Sequence, residues 1–147
     1  KAVVPELCMK IGALLGINNT VIINGMGEFG RIYGINSVIV EEFADLLILD
    51  EFQNRIKNEI PPLPLLYAMQ NIDVKNKICS LLKAQLTADL HEKIVETILA
   101  SKEVNALHSL LVENAAIGQK QLPKDIDEKI REQLDALLLV PLKYFES

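Results

Sequence analysis

Along most of the chain, apolar residues recur at intervals of three and four, the spacing of α-helices that bury one face. In "VVPELCMKIGALLG" the positions Val4, Leu7, Cys8, Ile11, Leu14 and Leu15 fit that spacing, and Gly16 is a natural stop. "INNT" reads as a loop in which Asn19 or Thr20 caps the next helix. That helix is predicted to run from about Val21 to beyond Asp50. Gly25, Gly27, Gly30 and Gly34 interrupt it, and each weakens a helix unless something must approach the backbone closely. Gly30 and Gly34 share a face, which predicts a neighbouring helix packed tightly there. "IPPLP" ends the run, because Pro61, Pro62 and Pro64 remove three backbone donors. Downstream, the rhythm predicts helices over about 63–71, 73–84, 87–101, 103–117 and 124–138, with Asp73 and Thr87 as N-caps. "GQKQLPKDID" reads as a loop, and the pattern as a whole predicts an all-α domain over 1–147.

Composition narrows the possibilities. A chain of 147 residues fits one domain with a real core. It is 50% hydrophobic and only 5% aromatic, which favours packed helices over a sheet sandwich. A formal charge of −5 leaves no basic stripe for nucleic acid. No apolar run reaches the roughly 18 residues of a membrane span, so a soluble, cytoplasmic protein is expected. Cys8 and Cys79 are too few and too far apart for a disulfide framework or metal knuckle, and are expected to be reduced and buried. The chain opens at Lys1 with no initiator methionine and an apolar pattern already under way, as a fragment would. A core cut in that way would leave apolar helix faces exposed.

The candidate chemistry lies in "VIVEEFADLLILDEF". On a helix Glu41 and Asp45 stack, and Glu42 sits about 100° round from Glu41 and three residues from Asp45. Val40, Phe43, Leu46 and Leu47 cover the other faces. Like charges crowded among apolar side chains repel one another unless a cation joins them or water reaches them. A hard cation such as Mg²⁺ suits these oxygen ligands, and a solvated edge of a mostly buried helix is the other reading. Nucleophilic catalysis has little support: Ser37 has no base in sight, and neither cysteine has a histidine nearby in sequence. No catalytic residue is assigned. His91 and His108 read as surface or boundary residues of amphipathic helices. The glycines at 25–34 form no phosphate loop, which would need a preceding strand and a closing Gly-Lys-Ser or Gly-Lys-Thr.

Three segments in order, "KAVVPELCMKIGALLG", "EFGRIYGINSVIVEEFADLL" and "IPPLPLLYAMQ", resemble the C-terminal half of the trans-isoprenyl diphosphate synthases. The resemblance covers residues 1 to about 70 and implies an isoprenoid-synthase-type helical bundle, of which this chain is the C-terminal half. It implies that Lys1 binds a substrate diphosphate and that Glu41, Glu42 and Asp45 stand at the three acids of the second aspartate-rich motif, DDxxD. The implied cofactor is Mg²⁺, and the implied activity of the parent chain is prenyl transfer from an allylic diphosphate to isopentenyl diphosphate. The implied partners are isoprenyl diphosphates and a homodimer or a heterodimer with a related subunit.

The chain departs from the family at several points. Ala2 replaces a threonine, Glu41 and Glu42 replace aspartates, and Ser37 and Val38 replace a Phe-Gln pair. Lys57 is the nearest substitute for a lysine that should precede the Leu-Pro segment. The first aspartate-rich motif lies upstream in the family and is not in this sequence. The 147-residue chain is therefore not expected to elongate prenyl chains alone, and a catalytically degenerate subunit or regulatory module that pairs with an active synthase is the alternative.

Overall fold

In a computed structural model, residues 1–16, 18–124 and 126–143 are described, and they form eight helices and no strand. These are α1 (Val3–Gly16), α2 (Thr20–Leu47), α3 (Leu49–Asn58), α4 (Leu63–Ala68), α5 (Ile72–Leu81), α6 (Ala88–Leu99), α7 (Lys102–Gln121) and α8 (Glu128–Lys143). The fold is all-α, as the periodicity predicts. No described helix is long and apolar enough to cross a membrane.

The helix starts follow from side chains that satisfy free backbone N–H groups. Asn19 caps α2, its Oδ1 accepting from the backbone N–H of Val21 at 3.0 Å and of Ile22 at 3.4 Å. Thr87 caps α6 as expected, its Oγ1 accepting from the Leu90 N–H at 3.3 Å. The cap of α5 is Asn71 and not Asp73, whose own N–H donates to the Asn71 amide oxygen at 3.0 Å. Ser101 does the same for Val104 in α7, and Asp127 for Ile130 in α8, which therefore starts at Glu128 and not near 124.

The main departure from expectation is at Ile48, where an extended backbone (φ −93°, ψ 113°) ends α2 and α3 begins afresh. No glycine or proline marks the break. The carbonyl of Leu46, deprived of its helical partner, accepts instead from Nε2 of His91 at 2.9 Å. His91 is buried and its ring lies 4.9 Å from that of Phe52, so the expectation of a surface or boundary histidine is corrected there; His108 is exposed. Cys8 and Cys79 are also exposed, not buried.

The chain divides into two compact units, Lys1–Val40 with Leu110–Ser147, and Glu41–Ser109. In the first, Phe29, Ala115, Leu122 and Leu138 form a buried cluster with Met26, Ile32, Tyr33 and Leu134 packed against it. Asn36 is fully buried beside α7, donating to the Leu111 carbonyl at 3.1 Å and accepting from the Asn114 amide at 3.0 Å. A buried amide with both ends engaged fixes the register between two helices. In the second unit, Phe43, Leu46, Phe52, Leu65, Ile78, Ile94 and Ile98 are buried.

The close helix neighbour predicted at Gly30 and Gly34 is α1. A Cβ on Gly30 would stand 2.5 Å from the Pro5 carbonyl oxygen, and one on Gly34 would stand 2.9 Å from the Ala2 Cα. None of the described glycines has a positive φ, so the requirement here is small size. Gly30→Ala is expected to destabilise the fold by about 1–2 kcal/mol despite alanine's better helix propensity. Gly12→Ala, which meets open space, is expected to stabilise it by up to about 1 kcal/mol. Urea unfolding of the two variants checks both signs.

Candidate functional site

The acidic cluster sits at the end of α2, and the group that meets it comes from α3. Arg55 donates from Nη2 to Oε2 of Glu42 at 2.8 Å and from Nη1 to Oδ2 of Asp45. Its Nε donates to the Ile60 carbonyl at 2.7 Å, and the Glu59 carboxylate lies 3.7 Å away. The same Glu42 oxygen accepts from the backbone N–H of Leu63, the first residue of α4, at 2.9 Å. One planar guanidinium thus joins the end of α2 to the segment that carries the prolines, a geometry suited to the fixed fork of arginine.

This arrangement depends on the break at Ile48. In an unbroken helix Arg55 would lie about 15 Å along the axis from Asp45 and about 20 Å from Glu42, beyond the reach of its side chain. Folding α3 back at Ile48 brings the guanidinium onto both acids.

The Arg55 side chain is only 13% exposed, against 18% for Glu42 and 32% for Asp45. Burial alone would draw the guanidinium's pKa down, but hydrogen bonds and negative charge from Glu42 and Asp45 outweigh it and hold Arg55 above its ordinary value. Because that folded-state value is raised, the linked stability is fully present below the ordinary arginine range. It is lost only as pH rises beyond that range, so the latch stays charged on its basic side at neutral pH.

The remaining predicted residues lie as follows. Glu41 is exposed, and Glu42 and Asp45 are half-buried on Arg55. Lys1 is exposed in the other unit, where its carbonyl accepts from the Val4 N–H at 3.2 Å. Lys57 is exposed at a groove of about 280 Å³ lined by Gln53, Ile56, Leu82 and Leu86 among others, which offers a diphosphate one cation on mostly apolar walls. Ser37 donates within its own helix to the Tyr33 carbonyl at 3.0 Å.

Mg²⁺ requires near-octahedral oxygen coordination from freely presented ligands. Glu42 and Asp45 are already committed to a cation of the protein's own, and among the described residues no three His, Cys, Asp or Glu side chains are gathered as a metal ion needs. The cluster in this arrangement does not fit Mg²⁺.

Arg55 is the residue that sequence reasoning missed. A signal was present: Arg55 and Lys57 are the only basic residues between the acids and Asp73, and Arg55 alone has the planar fork suited to two carboxylates at once. No protein-family model, curated protein or solved structure matches this chain.

Arg55→Met is expected to lower unfolding stability by about 2 kcal/mol, because it leaves two partly buried carboxylates without a counterion. Lys57→Met, at an exposed position, is expected to stay within about 0.5 kcal/mol of the parent. Chemical denaturation of the pair separates a latch from a surface charge.

Proposed function

We propose that this chain is a non-catalytic helical subunit or regulatory module of the isoprenyl diphosphate synthase type, whose role is association and not turnover. The observation that carries this reading is the Arg55 pairing with Glu42 and Asp45, two of the three positions at which the resemblance expects metal-binding acids. A guanidinium there neutralises the carboxylates permanently, where a working synthase needs them to gather divalent cations around a departing diphosphate. In this reading the acids keep a structural role, holding the Pro61–Pro64 segment to the end of α2. A cytoplasmic location and pairing with a related subunit belong to the same proposal.

A second reading is favoured by the exposure of Glu41 and by the 32% exposure of the Asp45 side chain, which leave part of the cluster open to solvent. In it the parent chain is a prenyltransferase that uses Mg²⁺, with Lys1 on a substrate diphosphate, and Arg55 must leave the acids before a metal can bind.

Calorimetric titration of the chain with Mg²⁺, followed by incubation of the intact parent chain with Mg²⁺, isopentenyl diphosphate and an allylic diphosphate, distinguishes the two. The first reading expects no saturable Mg²⁺ binding at millimolar concentrations and no elongated product. Saturable binding abolished by Asp45→Ala, or an elongated prenyl diphosphate seen by mass spectrometry, would overturn it in favour of the second.

A further inference from the structure

Helix α3 uses its sides for different ends. Phe52 is fully buried, and Arg55 turns to Glu42 and Asp45. Gln53, Ile56 and Lys57 occupy a sector of roughly 100° on the far side, centred about 150° round from Arg55. These three line the groove of about 280 Å³ together with residues of the loop that joins α5 to α6.

That loop is held at both ends. Leu82 caps α5, its N–H donating to the Ile78 carbonyl at 2.9 Å, and the Ala84 N–H donates to the Leu81 carbonyl at 3.3 Å. Thr87 then caps α6. Between these anchors Leu82, Ala84 and Leu86 line the groove with apolar side chains, and Ile56 adds a fourth from α3. The walls are in place before anything binds, so little ordering opposes a ligand.

The polar groups of the groove are few. Gln53 and Gln85 bring amide N–H donors, and Lys57 brings an ammonium. No carboxylate lines it among the described residues, and Lys57 has no ion-pair partner among them, whereas Arg55 on the same helix is committed to Glu42 and Asp45. Lys83 lies in the loop without lining the groove. One ammonium balances one negative charge, so a diphosphate is under-served here, and a cationic ligand meets Lys57 with no acid to offset it. A single carboxylate on an apolar body matches both the charge and the walls.

At the roughly 30 Å³ that a water-sized group occupies, the groove holds on the order of ten non-hydrogen atoms. We propose that it binds a soluble amphiphilic carboxylate with a chain of about eight carbons, Lys57 taking the carboxylate and Ile56, Leu82 and Leu86 the chain. The groove shares no lining residue with the acidic cluster, so the proposal stands or falls separately from the reading of that cluster.

Octanoate is the probe, titrated into the isotopically labelled chain and followed by NMR amide shifts. Saturable shifts are expected at Gln53, Ile56, Lys57, Gln85 and Leu86, with a dissociation constant on the order of 0.1–1 mM. Lys57→Met is expected to weaken binding about fivefold or more, and Lys57→Arg to stay within about threefold of the parent. Lys57→Glu is expected to abolish octanoate binding and to create binding of octylammonium, which the parent chain does not bind. Lys57 is exposed, so all three variants are expected to keep the parent's helical circular dichroism. Leu86→Asp, which sets a carboxylate in the apolar wall, is expected to lose octanoate with Lys57 intact.

The absence of saturable shifts up to about 10 mM octanoate overturns the proposal. So does binding that ignores the charge at Lys57, or that octanol matches, which makes the groove an apolar cleft without anion selection. Inorganic pyrophosphate displacing octanoate at lower concentration overturns it in favour of a polyanion. Groove shifts produced by phosphatidylglycerol vesicles and not by octanoate overturn it in favour of a membrane surface.

Discussion

The reach of one guanidinium back across a helix break orders much of the second unit. Arg55 can touch Glu42 and Asp45 only because α2 stops at Leu47 and α3 turns back at Ile48. The break in turn frees the Leu46 carbonyl, which the core can tolerate because His91 donates to it while packing, tilted, against Phe52. The same Arg55 holds Ile60, and Glu42 holds the N–H of Leu63, so the chain enters its proline segment already tied down. An ion pair this shielded is costly to break, although its formation also requires desolvating three charges.

The first unit is organised by close approach. Gly30 and Gly34 let α1 sit against the backbone of α2, and the Asn36 amide locks α2 to α7. The approach of α1 is made with its small and mixed residues, which leaves its most apolar side turned to solvent. Sequence pattern and packing direction therefore disagree on this helix.

Helical periodicity and capping residues carried the fold class, the Thr87 cap, a cap for α2 at Asn19 or Thr20, and the tight contact at Gly30 and Gly34. It was weaker where two residues could do the same job. Asn71 and Asp73 are both good caps, and only the backbone geometry decides that the earlier one is used. The break at Ile48 had no local signature, because neither glycine nor proline marks it, and the contact that accompanies it joins residues ten apart. The spacing of the acids on one helix is legible in sequence, but the guanidinium that Glu42 and Asp45 hold in this structure comes from the next helix. His91 was misread for a related reason, since its buried partner is a carbonyl exposed by the unforeseen break.

The claim that Arg55 is the cation of the acidic cluster is tested most directly by a double-mutant cycle on unfolding stability, using Arg55→Met, Glu42→Gln and their combination. The Glu42→Gln side chain would retain an acceptor for the Leu63 N–H, so the cycle isolates the charge pairing. The account predicts a coupling energy of about 1 kcal/mol or more. Additivity within about 0.3 kcal/mol would contradict it and return Glu42 to the role of an uncommitted carboxylate.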